Sequence, residues 1–525
     1  MLSLAAFSIL NILIQIELIS VKTNSINPLE TDLKRSLTLF DSTMIVMGSM
    51  IGSGIFIVTA GVAKQVGSPA FILLTWILTG ILTIIAALSY GELAGMMPKA
   101  GGQYVYLREA YNPLIGFLFG WTTFLVIETG LIAAVAIAFA KFTAVLFPIF
   151  NEQHILLKLS DYTFTATQLL ALVVIVLLTF INIQGVKTGK LVQNVLTITK
   201  VGALLGLIIL GLYKGFSSPA FQLNLNDFWQ PFKTTLSNGT LVKTPLSILT
   251  QFDASTSLIT ALGLAMIGPI FSSSAWNTIT YTAGEIQNPQ RNIPLSLFLG
   301  TLFVSILYIS ANFVYIMLLP ASGTPDGVDT FSRGIAFAAQ ERVGTAAAEM
   351  IFGAPAVIIM AIFIMISTFG CNNGIVMSGS RVYYAMAKDG LFFQKAVKLN
   401  NKGVPAYALI LQCIWASLLC ISGKYSDLLK YVTFATLLFY ILTIGGIFIL
   451  RKKQPLADRP YKAFGYPIIP FLYVLIATAI CLNLLMFETP ISFFGLSVKP
   501  SWVGLWIVLL GIPVFYMWKS KDNGT

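Results

Sequence analysis

The chain has 525 residues, 56% of them hydrophobic and only 10% charged, with a mean hydropathy of +0.84 and a formal net charge of +11. Soluble domains carry about 25% charged residues, so the polar side chains here cannot cover a water-facing surface. A soluble enzyme, a disordered chain and a nucleic-acid binder are excluded on that ground, whatever the net charge suggests, and an integral membrane protein with many spans is left. Cysteines 371, 413, 420 and 481 lie in apolar runs without metal-ligand spacing, and His154 is the sole histidine. They argue against a disulfide framework, a zinc cluster and a Ser-His-Asp site, and no metal or cofactor is implied.

Residues 2–20 come first. They are apolar, but Asn11, Gln15 and Glu17 interrupt them and no cation precedes Lys22, so a secretory signal is not indicated. An interfacial amphipathic segment or an overlong start is read there in preference to a thirteenth span. At about 20 apolar residues per crossing, twelve spans follow, the first six near 43–64, 70–96, 112–148, 165–184, 191–213 and 257–283. The second six lie near 294–319, 347–386, 405–422, 427–450, 467–487 and 502–518. The third and eighth exceed one bilayer, which implies strong tilt or extension outside it. Orientation comes from lysine and arginine. With a cytoplasmic N-terminus, twenty of the 32 cations fall inside, eleven fall outside, and Lys200 lies within a span. A multi-pass protein of the cell membrane with both termini in the cytoplasm is therefore expected. The outer loop at 214–256 holds an Asn238-Gly-Thr sequon, which matters only in a glycosylating host and also arises by chance.

Two spans are interrupted. The first reads Met47-Gly-Ser-Met-Ile-Gly-Ser-Gly-Ile55, and the sixth reads Gly268-Pro-Ile-Phe-Ser-Ser-Ser-Ala-Trp-Asn277. Glycine costs about 1 kcal/mol against alanine in a helix interior, and Pro269 cannot donate to a helix ladder. Ser272, Ser273 and Ser274 can supply hydroxyls to freed carbonyls. Unwound backbone at membrane depth is tolerated only against protein or a water-filled cavity. Breaks in the first and sixth spans are the pattern of a transporter built from two inverted five-helix repeats, whose half-helix N-termini face an anionic group such as a carboxylate. Close helix packing through small residues, with Gly48 and Gly52 four apart, is the competing reading.

Several stretches then resemble one family in order. Ile51-Gly-Ser-Gly-Ile-Phe56 is similar to the first-helix motif of the amino acid–polyamine–organocation transporters. Tyr90-Gly-Glu-Leu and Lys99-Ala-Gly-Gly-Gln-Tyr-Val-Tyr106 resemble the link from second to third helix. Phe271, Trp276-Asn277 and Glu285-Ile-Gln-Asn-Pro-Gln-Arg-Asn-Ile-Pro294 resemble the sixth helix and its exit. Asn373-Gly374, Ser380-Arg381 and Lys388-Asp-Gly390 resemble the eighth helix and its end. The match runs from about Leu37 to Pro467 and points to the L-type amino acid transporter branch. The resemblance implies that a substrate carboxylate meets the amides around Gly52, Ser53 and Gly54. Its ammonium would meet carbonyls near Met50 and from Phe271 to Ser273, including Ser272. Phe271 would close over the amino acid, and Asn277 is a polar position beside the break. Many members carry tyrosine at the place of Ser273, so side-chain specificity stays open. Human L-type proteins attach to a glycoprotein through a cysteine after the third helix; the loop at 149–164 has none, so no disulfide-linked glycoprotein subunit is expected.

Two charges fall at bilayer depth, where insertion costs about 2.5–3.5 kcal/mol. Lys200, in the fifth span, matches a family lysine that stands in for a sodium ion and braces the first helix at its break, which implies sodium-independent transport; snorkelling is the alternative. Glu128, in the third span, is read either as a proton-coupling or cation-selecting carboxyl or as a protonated or hydrogen-bonded group in helix packing. Glu92 and Glu285, at cytoplasmic helix ends with Lys99, Arg108 and Arg291 nearby, are read as solvated rather than as gate salt bridges, and Trp76, Trp121 and Trp415 as packing or interface belt.

The expected architecture is all-α and membrane-spanning, a 5+5 inverted repeat with the first and sixth helices broken. Residues 1–37 form an N-terminal segment, 38–213 the first repeat, 214–256 an outer loop, 257–450 the second repeat and 451–525 two further helices. The function expected is sodium-independent alternating-access transport of amino acids, by exchange or facilitated flux of neutral substrates. A proton-coupled symporter for cationic amino acids or polyamines is the second reading, and a nutrient receptor without net transport the third. A membrane-embedded enzyme lacks a catalytic cluster, and a channel lacks a legible filter.

Overall fold

A computed structural model describes residues 33–159, 162–237, 240–248, 257–422, 425–488, 490–493 and 496–522. The apolar segment at 2–20 and the Asn238 sequon lie outside the described residues. Among the described residues, eleven helices are long and apolar enough to cross a membrane. The first eight are Leu39–Ile57, Pro69–Met96, Pro113–Leu146, Ala166–Ile183, Thr188–Gly215, Leu258–Glu285, Pro289–Leu318 and Ala356–Lys388. Val432–Lys453, Ile468–Phe487 and Pro500–Trp518 complete the set. The expected span at 405–422 forms the helix Ala406–Ser422, whose 17 residues are at the short end for a bilayer crossing.

The long apolar run at 347–386 is two helices, not one. Val343–Phe352 ends where Gly353 takes a left-handed φ of 71°, and Ala356–Lys388 starts after Pro355. Hydropathy does not register that turn, because glycine and proline interrupt the backbone without interrupting apolarity. The third span is continuous but holds a wide π-helical turn at Thr123–Ile127, immediately before Glu128.

Burial separates the inner spans from the outer ones. In the most apolar stretch of each, 78% of the first, 83% of the third and 72% of the sixth span is buried, against 33% for Thr188–Gly215, Ile468–Phe487 and Pro500–Trp518. The low-burial helices leave apolar side chains such as Ile209, Leu475 and Leu510 exposed. A lipid-facing surface is apolar for the same reason that a soluble surface is polar. The seventh span packs along the second, and the eighth along the third. Short antiparallel hairpins sit in three connections: Ile155–Leu159 with Tyr162–Thr165, Phe232–Ser237 with Thr240–Pro245, and Ile491–Phe493 with Leu496–Val498.

The link between the second and third spans folds inward through the helix Gln103–Ala110. Gly101 and Gly102 precede it at φ of 95° and 43°, and a Cβ on Gly102 would run into the backbone of Thr280. The Gly-Gly pair thus lets this link lie against the sixth span, where the Gly101 amide donates to the Tyr281 carbonyl at 3.0 Å.

Candidate functional site

The first span begins with a capping box, in which Thr38 and Asp41 bond each other's backbone amides, and stays helical to Met50. Ile51 is extended (φ −76°, ψ 94°), and a second half-helix starts at Gly54 with no side-chain cap. Such a break frees carbonyls, and each must find a donor in an interior without water. Three neighbouring spans supply them. The Lys200 ammonium, 2% exposed, donates to the carbonyls of Gly48 and Ile51, the latter at 2.7 Å, and more distantly to Ser367 at 3.4 Å. Ser367 Oγ donates to the carbonyls of Ile51 and Gly52 at 3.1 and 3.2 Å, and Cys371 Sγ to that of Ser49 at 2.9 Å. Tyr308 Oη donates to the Met50 carbonyl at 2.9 Å and reaches the Ser272 carbonyl at 3.3 Å.

The sixth span breaks four residues beyond its proline. Pro269 sits inside the helical turn Ile267–Ser272, and Ala275 adopts a left-handed φ of 66° before a 3₁₀ stretch, Trp276–Glu285. That conformation costs a residue with a Cβ about 1–2 kcal/mol. Ser274 offsets part of it, its amide and hydroxyl both donating to the Phe271 carbonyl, at 3.0 and 2.6 Å. The two breaks touch, because a Cβ on Gly54 would collide with the Ser272 side chain and one on Gly268 with Val58.

The residues singled out in the sequence therefore divide. Met50, Gly52, Ser53, Gly54, Phe271, Ser272 and Ser273 are all buried at the paired breaks, and Lys200 joins them from the fifth span. Asn277 does not face the first break. Its amide donates to Gln103 Oε1 and Tyr281 Oη at 2.9 and 2.8 Å, and its oxygen accepts from Tyr440 Oη at 2.9 Å, so it ties the sixth span to two other elements. Glu128 is 1% exposed and lines a cavity of about 10 Å³ with Ser274, Asn277, Tyr281 and Thr436. About one water fits such a space. Among the described residues, Glu128 Oε2 and Thr436 Oγ1 find no hydrogen-bond partner.

At one end of the helices, Glu92 and Glu285 are not solvated. Both are 1% exposed. Arg451 bonds Glu92 through two nitrogens at 2.9 and 2.7 Å, with Arg459 at 3.3 Å, and Arg381 bonds Glu285 at 2.9 Å. Their partners come from far along the chain, which is why charge spacing alone pointed to the wrong cations. Residues 36–37 cross this end, with the amides of Ser36 and Leu37 donating to the Glu285 carbonyl at 2.8 and 2.9 Å. Asp389 pairs there with Arg108 and accepts from Tyr104 Oη at 2.7 Å. Burial and the Asp389 charge push the Tyr104 phenol up, so it stays a neutral donor. Trp76 packs edge-on against Tyr308, and the indoles of Trp121 and Trp415 donate to the carbonyls of Ile507 and Leu125.

An amino acid permease family model matches residues 37–515. The chain belongs to that family. Among the permease's relatives, large neutral amino acids transporter small subunit 2 of Mus musculus is 29% identical over 94% of this chain and 83% of its own length. The b(0,+)-type amino acid transporter 1 of Mus musculus is 28% identical over 93% of this chain and 88% of its own. Asc-type amino acid transporter 1 of Mus musculus is 27% identical over 94% and 83%. The permease is thus a multi-pass membrane protein of amino acid transport, and its family and relatives are transporters rather than enzymes. One expectation is corrected here. The expectation of no disulfide-linked glycoprotein subunit is overturned, because a similar protein is named a small subunit, a designation that implies a companion. The missing loop cysteine was a poor guide, since a cysteine count says nothing about the rest of an interface.

Tyr308, Ser367 and Cys371 escaped the sequence reading although they hold the first break together. Each is an isolated polar group in an apolar span, a signal shared by many serines and threonines that merely bond their own helix, as Thr79 and Thr83 do here.

Proposed function

We propose that this permease is a sodium-independent secondary transporter that carries neutral amino acids by alternating access about its two broken helices. The observation that carries the reading is the fixed ammonium of Lys200 on the carbonyls of Gly48 and Ile51, at a break whose other half begins with Gly54. A side-chain ammonium there does for the freed carbonyls what a bound metal ion would otherwise do. The half-helix N-terminus at Gly52, Ser53 and Gly54 suits a carboxylate. The carbonyls of Met50 and of Phe271 to Ser273 suit an ammonium, which would take the place of the Tyr308 hydroxyl. Phe271 would close over the bound molecule. In this reading Ala406–Ser422 also spans, giving twelve helices. Two inverted repeats occupy 38–213 and 257–450, 214–256 is an outer loop, and both termini lie in the cytoplasm at the plasma membrane. The name of one relative, large neutral amino acids transporter small subunit 2, favours neutral substrates, and the chain would serve as the small subunit of a two-part transporter. Cross-linking in native membranes tests that assignment, and recovery of the chain alone would remove it.

Uptake of radiolabelled leucine into proteoliposomes tests the transport reading. Internal amino acid should raise uptake, and replacing sodium should leave it unchanged. Sodium-driven accumulation would overturn sodium independence, and no uptake of any amino acid would overturn the function. A second reading, proton-coupled transport of cationic amino acids, is favoured by one observation, the unpartnered Glu128 oxygen on a cavity beside the sixth-span break. Under it, Glu128→Gln abolishes the dependence of uptake on a pH gradient. Unchanged activity and selectivity would reduce Glu128 to packing.

A further inference from the structure

We propose that the groove between the first, fifth and seventh spans binds an anionic phospholipid, one acyl chain in the groove and the phosphate at Arg291. The groove measures about 580 Å³, within the ~300–1,000 Å³ typical of sites that enclose small molecules. Met44 and Met47 form one wall, Val201 and Gly202 the second, Leu302 and Phe303 the third. All lie within spans, where water is not available to fill a recess. An empty recess also forfeits the dispersion contacts of its walls. A hydrocarbon chain is the filler that the bilayer supplies at that depth. Gly202 points to the same use of space, because a Cβ there would meet nothing within 4 Å. Packing inside the chain does not require a glycine at this position; its effect is to deepen the groove.

Charge selects the headgroup. Arg291 is exposed, and no ion pair among the described residues includes it. It precedes Leu302 by eleven residues, or three turns along one face of the seventh span, which sets it ~16 Å away along the axis. Lys190 stands at the same interval before Val201 on the fifth span, partly neutralised by Asp41 at 2.9 Å. Basic side chains at the ends of spans recognise anionic headgroups. A free fatty acid would fill the groove but would not bring a phosphate to the arginine.

The groove wall formed by Met44 and Met47 belongs to the half-helix Leu39–Met50, which ends at the break. Thr197 Oγ1 donates to the Met44 carbonyl at 3.3 Å and Asn194 to Asp41 at 2.7 Å, so the fifth span already holds this half-helix. A lodged acyl chain adds contacts from the open side. It therefore favours the arrangement seen here over any in which the half-helix swings away.

The test uses the full-length chain in phosphatidylcholine nanodiscs, titrated with acyl-chain spin-labelled phosphatidylglycerol or phosphatidylcholine. Immobilised lipid is counted by electron paramagnetic resonance. Phosphatidylglycerol should be retained in preference, and Arg291→Gln should weaken that preference about fivefold, the effect of one basic residue near a charged headgroup. Gly202→Phe fills the groove and should remove the immobilised site for both lipids. Leu302→Trp fills it from the opposite wall and should do the same, which guards against a folding fault in either variant. Thermal unfolding supplies a second readout: phosphatidylglycerol should raise the midpoint of the wild type and leave that of Gly202→Phe unmoved. No preference in the wild type, an unchanged preference in Arg291→Gln, or full retention in both groove-filling variants would overturn the proposal. None of these readouts depends on the substrate assignments.

Discussion

Tyr308→Phe separates the carbonyl network from the substrate site with the loss of one oxygen. The ring remains, and with it the edge-on contact to Trp76 at 5.5 Å. What disappears is a single hydroxyl proton shared between the carbonyls of Met50 and Ser272, at 2.9 and 3.3 Å. One proton makes one good hydrogen bond at a time, so the loss is that of one buried acceptor left unsatisfied, about 1–3 kcal/mol. That cost falls chiefly on the empty carrier. If the substrate ammonium bonds the Met50 carbonyl, the bound state recovers part of it, and the variant should bind substrate more tightly than the wild type while being less stable without it. At the lower limit of 1 kcal/mol, the apparent KM for exchange falls about fivefold. The unfolding midpoint of the purified variant drops, and saturating substrate restores more of it than in the wild type. Uptake kinetics and thermal unfolding with and without substrate measure both effects. A lower midpoint with an unchanged KM would refute the reasoning, because the hydroxyl would then be holding the helices together without competing for the substrate's place.

Three further outcomes follow from the same geometry. Lys200→Met keeps the aliphatic stem but removes the ammonium from the carbonyls of Gly48 and Ile51. The carbonyls lose a donor, at about 1–3 kcal/mol for each left unsatisfied, so the variant should unfold at a lower temperature, and transport by the protein that remains folded should fall at least tenfold, about 1.4 kcal/mol in barrier; full uptake would remove the bracing role. Gly54→Ala drives a methyl into Ser272 and should cost about 1–3 kcal/mol by overpacking, with partial recovery in the Gly54→Ala/Ser272→Gly double variant; no recovery would place the damage in the backbone. Arg381→Met strands Glu285 and should destabilise by about 3–5 kcal/mol, whereas the Arg381→Met/Glu285→Met pair should regain most of that in thermal unfolding. Equal losses in single and double variants would refute the burial argument.

The membrane class and most of the span positions could be read from hydropathy because a bilayer imposes one length scale on every crossing. Glycine content placed the first break within a residue or two, since Gly52 and Gly54 sit where the helix stops. The run from Gly268 to Asn277 brackets the sixth break, but not its pivot: a proline near the start of a helical turn is tolerated, and the chain bends at Ala275. That left-handed residue carries no compositional signal. The pairing of Glu92 with Arg451 and of Glu285 with Arg381 was equally illegible, joining positions 359 and 96 residues apart. Lys200 was conspicuous because lysine is rare at that depth; Tyr308 and Ser367, which share its work, are ordinary residues in ordinary helices.

The wide turn at Thr123–Ile127 sets the phase of the third span. The Glu128 amide donates back five residues, to the Thr123 carbonyl, and Thr129 Oγ1 likewise reaches the Phe124 carbonyl at 2.7 Å. One surplus residue in a helix rotates everything beyond it by about 100°. The two halves of this span are therefore keyed to different neighbours, Trp121 to Ile507 before the turn and Asn372 to Ile132 after it. Removing any single residue between 123 and 127 would let the rod close into a regular helix, and one half or the other would have to turn its back on its partners. Substitutions in this stretch change one side chain; a deletion changes the aim of every side chain on one side of it, the Glu128 carboxyl included.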